Sequence, residues 1–255
     1  MFAIERQMII KEMLINNKSV DVSQLSKMFD VSEITIRRDF DKLEKDGILI
    51  KTYGGAILNS GSIEKITPVN DNNEKSDAVE IAKIALSMIY NDEVVFLGSG
   101  KISEAIASRL ENRSNLTVIT NDIFVASKLY NKIGITVKVT GGDLRPGTGT
   151  LMGYSAISYV QSIFIGKAFL SVKGVHTDYG YTLDNMEDLN LYNEIKKRTR
   201  QTIITSESSK FDNVSLSHFA DISDFDIVIT NSDIPDLYKE FYFNNKIKIF
   251  TTHNL

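Results

Sequence analysis

The chain has 255 residues with no cysteine, a formal charge of −4, 42% hydrophobic and 24% charged side chains. These proportions lie near globular averages, so a core can form and wholesale disorder is excluded. The lack of cysteine excludes disulfides and thiolate metal sites, and His176, His218 and His253 lie too far apart for ligand spacing, so no metal, cofactor or catalytic constellation is expected. No apolar run approaches the roughly 18 uncharged residues of a membrane span, and Glu5, Arg6, Lys11 and Glu12 make the head unlike a signal peptide. A cytoplasmic protein of two domains, with no membrane partner, is expected.

From the N-terminus, Ile9, Ile10, Met13 and Leu14 have the spacing of an amphipathic helix, which Asn16-Asn17-Lys18 ends. Asp21 can cap a second helix, with Gln24 reaching back as in a capping box and Leu25, Met28 and Phe29 as its buried stripe. After a turn closed by Val31, Ser32 caps a third helix in which Ile36, Phe40 and Leu43 recur at the i, i+4, i+7 spacing of a buried face. At about 100° per residue, Arg38, Lys42 and Lys45 lie nearly opposite that stripe, with Arg37 and Thr35 on its flanks. Gly47 stops the helix, and Ile48 to Tyr53 make a strand paired with a short segment beyond Gly54-Gly55-Ala56.

From residue 58 to 75 the composition turns to Asn, Ser, Gly and Pro and reads as a linker. Beyond it a helix (Ala78 to Ile89) leads into strand-like runs at Val94 to Leu97, Leu116 to Thr120, Thr136 to Thr140, Ala168 to Val172, Thr202 to Thr205, Ile227 to Thr230 and Ile247 to Phe250. Helical runs at Ser103 to Leu110, Ile123 to Tyr130, Asp188 to Thr199 and Asp236 to Phe243 separate most of them. Strands alternating with helices predict an α/β domain with a mainly parallel sheet covered on both faces. The expected organisation is a small N-terminal domain over 1–57, a linker over 58–75 and a larger α/β domain over 76–255.

A helix displaying adjacent arginines is often only a solvated face, and residues 1–56 hold nine Lys and Arg against nine Asp and Glu. Any grip on phosphate therefore rests on local placement of the cations. Two short helices joined at Asp30-Val31, the second exposing Ser, Thr and Arg near its start, have the geometry that enters a major groove. The stretch resembles the winged helix-turn-helix of the DeoR family of bacterial transcription regulators. The matching residues are Glu5-Arg6, Val31-Ser32-Glu33, Thr35-Ile36-Arg37-Arg38-Asp39, Leu43, Gly47 and Gly54-Gly55-Ala56. The family usually has Leu where this chain has Phe40, and Arg and His where Lys51 and Tyr53 stand. Ser32, Thr35, Arg37, Arg38 and Lys42 on the helix, with Lys51 and Tyr53 on the wing, are the expected contacts to a double-stranded DNA operator.

In the larger domain, Gly98-Ser99-Gly100 sits at a strand end before a helix, where small residues free amides for an anion or simply make a tight turn. Thr120-Asn121-Asp122, Thr140-Gly141-Gly142-Asp143 and Val172-Lys173-Gly174 are further strand ends, and open parallel sheets bind ligands at that edge. The DeoR resemblance continues through Gly141-Gly142-Asp143-Leu144-Arg145-Pro146, Gly153, Lys167-Ala168-Phe169, Asn185, Ser208-Ser209-Lys210-Phe211 and Asp224-Phe225-Asp226. It implies a fold similar to ribose phosphate isomerases and an effector that is a phosphorylated sugar or related anionic metabolite. Where the family commonly has Asp before Ser-Gly this chain has Gly98. Where it has an acid this chain has Lys173, and the family's helix lysine falls on Tyr192. Ser99, Gly100, Lys101, Thr120, Asn121, Gly141, Gly142, Arg145 and Lys173 are the expected effector residues, with Lys101 and Lys173 making the pocket more cationic if both face inward. Arg145 reaches the site or braces a loop. The first reading is a repressor of a carbohydrate operon, dimeric or larger because palindromic half-sites require at least two copies. The alternative is a sugar phosphate isomerase or deaminase with an N-terminal appendage, which would need a placed general base.

Overall fold

The computed structural model describes residues 3–17, 19–45, 47–59, 76–111 and 113–252. Lys18, His253 and residues 60–75, most of the expected linker, lie outside them. The chain divides into two compact units, Met1–Asn70 and Asp71–Leu255.

The first unit runs α1 (Ala3–Asn17), β1 (Ser19–Asp21), α2 (Val22–Phe29), α3 (Glu33–Lys45), β2 (Leu49–Lys51) and β3 (Gly55–Leu58), its antiparallel sheet ordered β1-β3-β2. Ile10 and Leu14 of α1, Leu25 and Phe29 of α2, and Ile36, Phe40 and Leu43 of α3 close one core over Leu49 and Ala56. Asp21 caps α2 by accepting the Ser23 and Gln24 N–H groups at 2.8 and 3.0 Å. The Ser23 hydroxyl, rather than the Gln24 side chain, completes that cap at 2.6 Å. With the helix starting at Val22, residues 22, 25 and 29 share the inner face, and Met28 is 59% exposed instead of buried. It lies about 100° around the helix from Phe29. Asp30 turns the chain in the left-handed region (φ 51°), which its short polar side chain tolerates, and the Ser26 hydroxyl donates to the Val31 carbonyl at 2.6 Å. The wing strand is shorter than expected: β2 stops at Lys51, and Thr52 donates to the Gly55 carbonyl at 3.0 Å, so Tyr53 sits in the turn. Gly55 is obligatory, because a Cβ there would stand 2.0 Å from the Val20 carbonyl oxygen across the β1–β3 pair.

The second unit contains a seven-stranded sheet, all parallel, built from β4 (Val94–Leu97), β5 (Leu116–Thr120), β6 (Ile135–Val139), β9 (Ile165–Ser171), β12 (Thr199–Ser206), β14 (Ile227–Thr230) and β15 (Lys248–Thr251). Its order is β15-β14-β12-β9-β4-β5-β6. All seven apolar runs seen in the sequence are these strands. Alternate residues serve opposite faces, as a two-residue period requires. Val95, Leu97, Val118, Phe169, Ile203 and Ile229 pack with α4 (Asp77–Ser87), α5 (Lys101–Arg109) and α6 (Ile123–Leu129). Phe96, Ile119, Leu170, Ile204 and Val228 pack with α7 (Tyr154–Gln161), α8 (Met186–Arg198) and α9 (Asp236–Asn244). Unanticipated elements are α7, the hairpin β7 (Asp143–Leu144) and β8 (Leu151–Met152), and a small antiparallel sheet of β10 (Gly174–His176), β11 (Gly180–Leu183) and β13 (Ser217–Ala220). No described helix is long and apolar enough to cross a membrane.

Candidate functional site

In the first unit the Arg37-Arg38-Asp39 run divides between two faces of α3. Asp39 points inward, taking Arg6 Nε at 2.5 Å and Gln7 Nε2 at 2.8 Å, with both charged side chains buried. That ties α1 to α3 and turns Arg37 and Arg38 outward, where both are exposed, as are Lys42 and Lys45. None of these four cations has an ion pair among the described residues. Ser32 starts the helix, receiving the Thr35 N–H on its carbonyl at 2.9 Å, and the Ser32 and Thr35 hydroxyls share a 3.0 Å hydrogen bond. Ile34 is 65% exposed on the same leading turn. A cleft of about 780 Å³ separates α3 from the wing, lined by Arg37, Phe40, Asp41, Lys51, Thr52, Tyr53 and Gly55.

Lys51 behaves differently from the free wing cation expected. Its Nζ lies 2.7 Å from Asp41 Oδ1 and 2.9 Å from Glu44 Oε2, and its N–H donates to Glu44 Oε1 at 3.1 Å. Hydrogen bonds donated to Asp41 and then Glu44 raise the Lys51 ammonium above its ordinary value, and those that Glu44 accepts from Lys51 lower its carboxyl. Lys51 therefore clips the wing to the helix with its charge compensated, while Tyr53 stands fully exposed at the tip.

In the second unit the expected residues gather at the carboxyl edge of the sheet through three side chains that the sequence reading did not nominate. Asp122 is buried and accepts the Gly100 N–H at 3.2 Å, while it caps α6 through Phe124 and Val125 at 2.7 and 3.3 Å. Burial raises its carboxyl above the ordinary value despite those bonds. Tyr192 reaches from α8 to the same turn, where its hydroxyl lies beside the Ser99 side chain and the Ser171 backbone; burial, then the nearby Asp188 charge, push the phenol well up. Asp188 follows the Asn185 cap of α8, donating its N–H to Asn185 Oδ1 at 2.7 Å and accepting Asn185 Nδ2 at 2.5 Å. Its other oxygen, Oδ1, is buried without a partner, as is Asn121 Oδ1. The Asn-x-x-Asp spacing was the only signal of this carboxylate in the sequence.

Arg145 lies 3.3 Å from Glu187 and 3.7 Å from Asp188, and Lys173 lies 3.6 Å from Asp184. The expected cationic excess is thus offset by local carboxylates. Lys101 is exposed at the first turn of α5 with no ion pair among the described residues. That helix has no side-chain cap at Gly100, so its leading N–H groups remain available beside Ser99. Thr120 is buried and receives the Asp122 N–H on its hydroxyl at 3.1 Å. Gly141 and Gly142 turn the chain into the β7–β8 hairpin at φ 70° and 107°, and a Cβ on Gly142 would meet the Met152 carbonyl at 2.2 Å. Another cleft, of about 540 Å³, opens at the opposite, amino edge between Gly166, Lys167, Lys196, Thr199 and Asp226. Lys167 and Lys196 there are held by Glu93 and Asp224 at 2.6 and 2.7 Å, while Arg200, which also lines it, is exposed.

Comparison with known proteins agrees in both units. A family model described as the DeoR-like helix-turn-helix domain matches residues 6–62, and one described as the DeoR C terminal sensor domain matches residues 73–232. The chain is similar to the HTH-type transcriptional regulator GolR of Listeria innocua, 33% identical over 94% of this chain and 96% of the relative. It is also similar to the putative aga operon transcriptional repressor of Escherichia coli O157:H7, 30% identical over 91% and 87%. Among solved structures, a D-ribose-5-phosphate isomerase in complex with phospho-erythronic acid aligns with 52% of each chain at 15% identity and a TM-score of 0.39.

Proposed function

The chain belongs to the DeoR family of transcriptional regulators, and from that premise we propose that it is a repressor of a carbohydrate operon, released from its operator by a phosphorylated sugar or related anionic metabolite. The observation that carries the DNA half is the outward display of Arg37 and Arg38 over a buried Asp39. Arginine forks suit guanine edges and phosphates, and Ser32, Thr35 and Lys42 flank them on the same helix. Tyr53 supplies the wing contact, with Lys51 holding the wing in place. The two units form an N-terminal reader and a C-terminal sensor joined over the expected 58–75 linker, and two or more copies act together in the cytoplasm on a palindromic site.

The effector half rests on the uncapped start of α5 beside Ser99, with Lys101 at its first turn. Thr120, Asn121, Gly141, Gly142, Arg145 and Lys173 complete the proposed site. Helix N-termini attract anions through free N–H groups and the helix dipole. An effector controls the repressor only if it binds the DNA-competent and DNA-incompetent states unequally.

The test of the reader is Arg38→Ala in the full chain, titrated against DNA fragments selected in vitro by the unmodified protein. The expected loss is about 1–3 kcal/mol, roughly fivefold to 150-fold in affinity. Unchanged affinity and an unchanged salt dependence would refute the assignment of α3 to the groove.

A further inference from the structure

Gly98 and Tyr192 lie 94 residues apart in sequence and in contact in space. A Cβ on Gly98 would stand 2.9 Å from the Tyr192 hydroxyl and 3.3 Å from the Phe169 carbonyl oxygen. The backbone at Gly98 is pinned, since its N–H donates to that same carbonyl at 3.1 Å. The space any side chain of residue 98 would take is therefore filled by the phenol. Tyr192 enters it from a buried stripe of α8 with Leu191 and Ile195, and its ring stacks edge-on to Phe219 at 5.5 Å between centroids, so the ring cannot easily retreat.

We propose that Gly98 and Tyr192 are a matched pair that sets effector specificity, the phenol forming the floor of the site under the Ser99–Gly100 turn and its hydroxyl donating to the bound ligand. This rests on the effector site proposed above. The hydroxyl lies among the Ser99 side chain, the Ser171 backbone, Asp188 and Asp122. Burial keeps the phenol protonated, so it acts as a donor at any physiological pH. Asp188 Oδ1, on the helix that carries Tyr192, and Asn121 Oδ1, at the carboxyl end of β5, are buried acceptors without partners. Buried polar atoms are rarely left so, and both call for ligand donors at this sheet edge. The ligand class is thus one that brings a phosphate to the turn and, close to it, both an acceptor for Tyr192 and hydroxyl donors for these two oxygens.

The experiment uses the full chain and thermal-shift titrations with inorganic phosphate, glycerol 3-phosphate, ribose 5-phosphate and glucose 6-phosphate, since a ligand that binds only the folded state raises the melting temperature. Gly98→Ala is expected to lower the melting temperature of the ligand-free protein, and Gly98→Ala/Tyr192→Phe to recover part of the loss by removing the atom it strikes. Tyr192→Phe alone is expected to weaken the preferred sugar phosphate at least tenfold more than inorganic phosphate and to change the order of the panel. An unchanged order and unchanged affinities in Tyr192→Phe overturn the pair as a specificity determinant and leave the effector site standing. If no phosphorylated compound stabilises the unmodified protein, the effector reading itself falls, and the role of Tyr192 with it.

Discussion

Asp39→Ala is the sharpest perturbation of the reader unit. Both partners of the Arg6–Asp39 pair are almost wholly buried, at 7% and 5% side-chain exposure and 2.5 Å apart, and the Gln7 amide shares the same carboxylate. Removing the carboxylate leaves a guanidinium and an amide in the core with no acceptor, a change that costs about 3–5 kcal/mol for a buried pair broken on one side. A unit this small rarely holds more than about 3–5 kcal/mol from its core, so the variant should sit at or past the midpoint of unfolding at 25 °C. Hydrogen exchange followed by mass spectrometry reads each unit separately: protection across α3 should collapse while the β4, β9 and β12 strands exchange as before. Arg6→Met/Asp39→Leu removes both charges and should restore α3 protection, because an apolar replacement of a buried pair is often neutral or stabilising. If Asp39→Ala leaves α3 protected to within about 1 kcal/mol, the pair is not what anchors the recognition helix.

Gly55→Ala should be worse tolerated than its size suggests, since its Cβ would meet backbone rather than a mobile side chain, 2.0 Å from the Val20 carbonyl; limited proteolysis should cut within residues 3–59, and full resistance there would contradict the tight β1–β3 approach. Hydrogen bonds from the Ser23 hydroxyl, then the Gln24 N–H, hold the Asp21 carboxyl below its ordinary 3.8. A folded value below the unfolded one means the cap's contribution is complete above pH of about 4 and fades as pH falls through the folded value. Urea melts of the reader unit at pH 5 and pH 3 should therefore differ less in Asp21→Asn than in the parent, and equal differences would dismiss the cap as a source of acid sensitivity.

The sheet was legible because each of its strands is an apolar run bounded by turn residues, and burial on both faces demands such runs. The helix α7 was not, since Tyr154-Ser-Ala-Ile-Ser-Tyr-Val-Gln buries only Ala156 and Val160 and begins at Gly153 without a side-chain cap. The small sheet of β10, β11 and β13 escaped for a similar reason: three or four residues give too short a window for a two-residue period to declare itself. In the candidate sites, residue types were readable and their partners were not. Arg145 meets Glu187 42 positions away, Gly98 meets Tyr192 across the sheet edge, and no local pattern announces either contact.

The same pairing logic separates the two sites. In the reader, a nine-to-nine charge balance conceals an unequal division: Asp39 is taken up by Arg6, and Asp41 and Glu44 by Lys51. Arg37, Arg38, Lys42 and Lys45 are left on the exposed face with no ion pair among the described residues, so a polyanion meets uncompensated cations although the sum is zero. In the sensor the division runs the other way, with Arg145 and Lys173 engaged by Glu187, Asp188 and Asp184. An anion arriving at the Ser99 turn therefore relies first on the leading amides of α5 and on Lys101. Should it also recruit Arg145, Asp188 would keep only the more distant Lys173 charge, and a ligand hydroxyl donating to Asp188 would offset the loss, which couples anion and hydroxyl recognition in the proposed site.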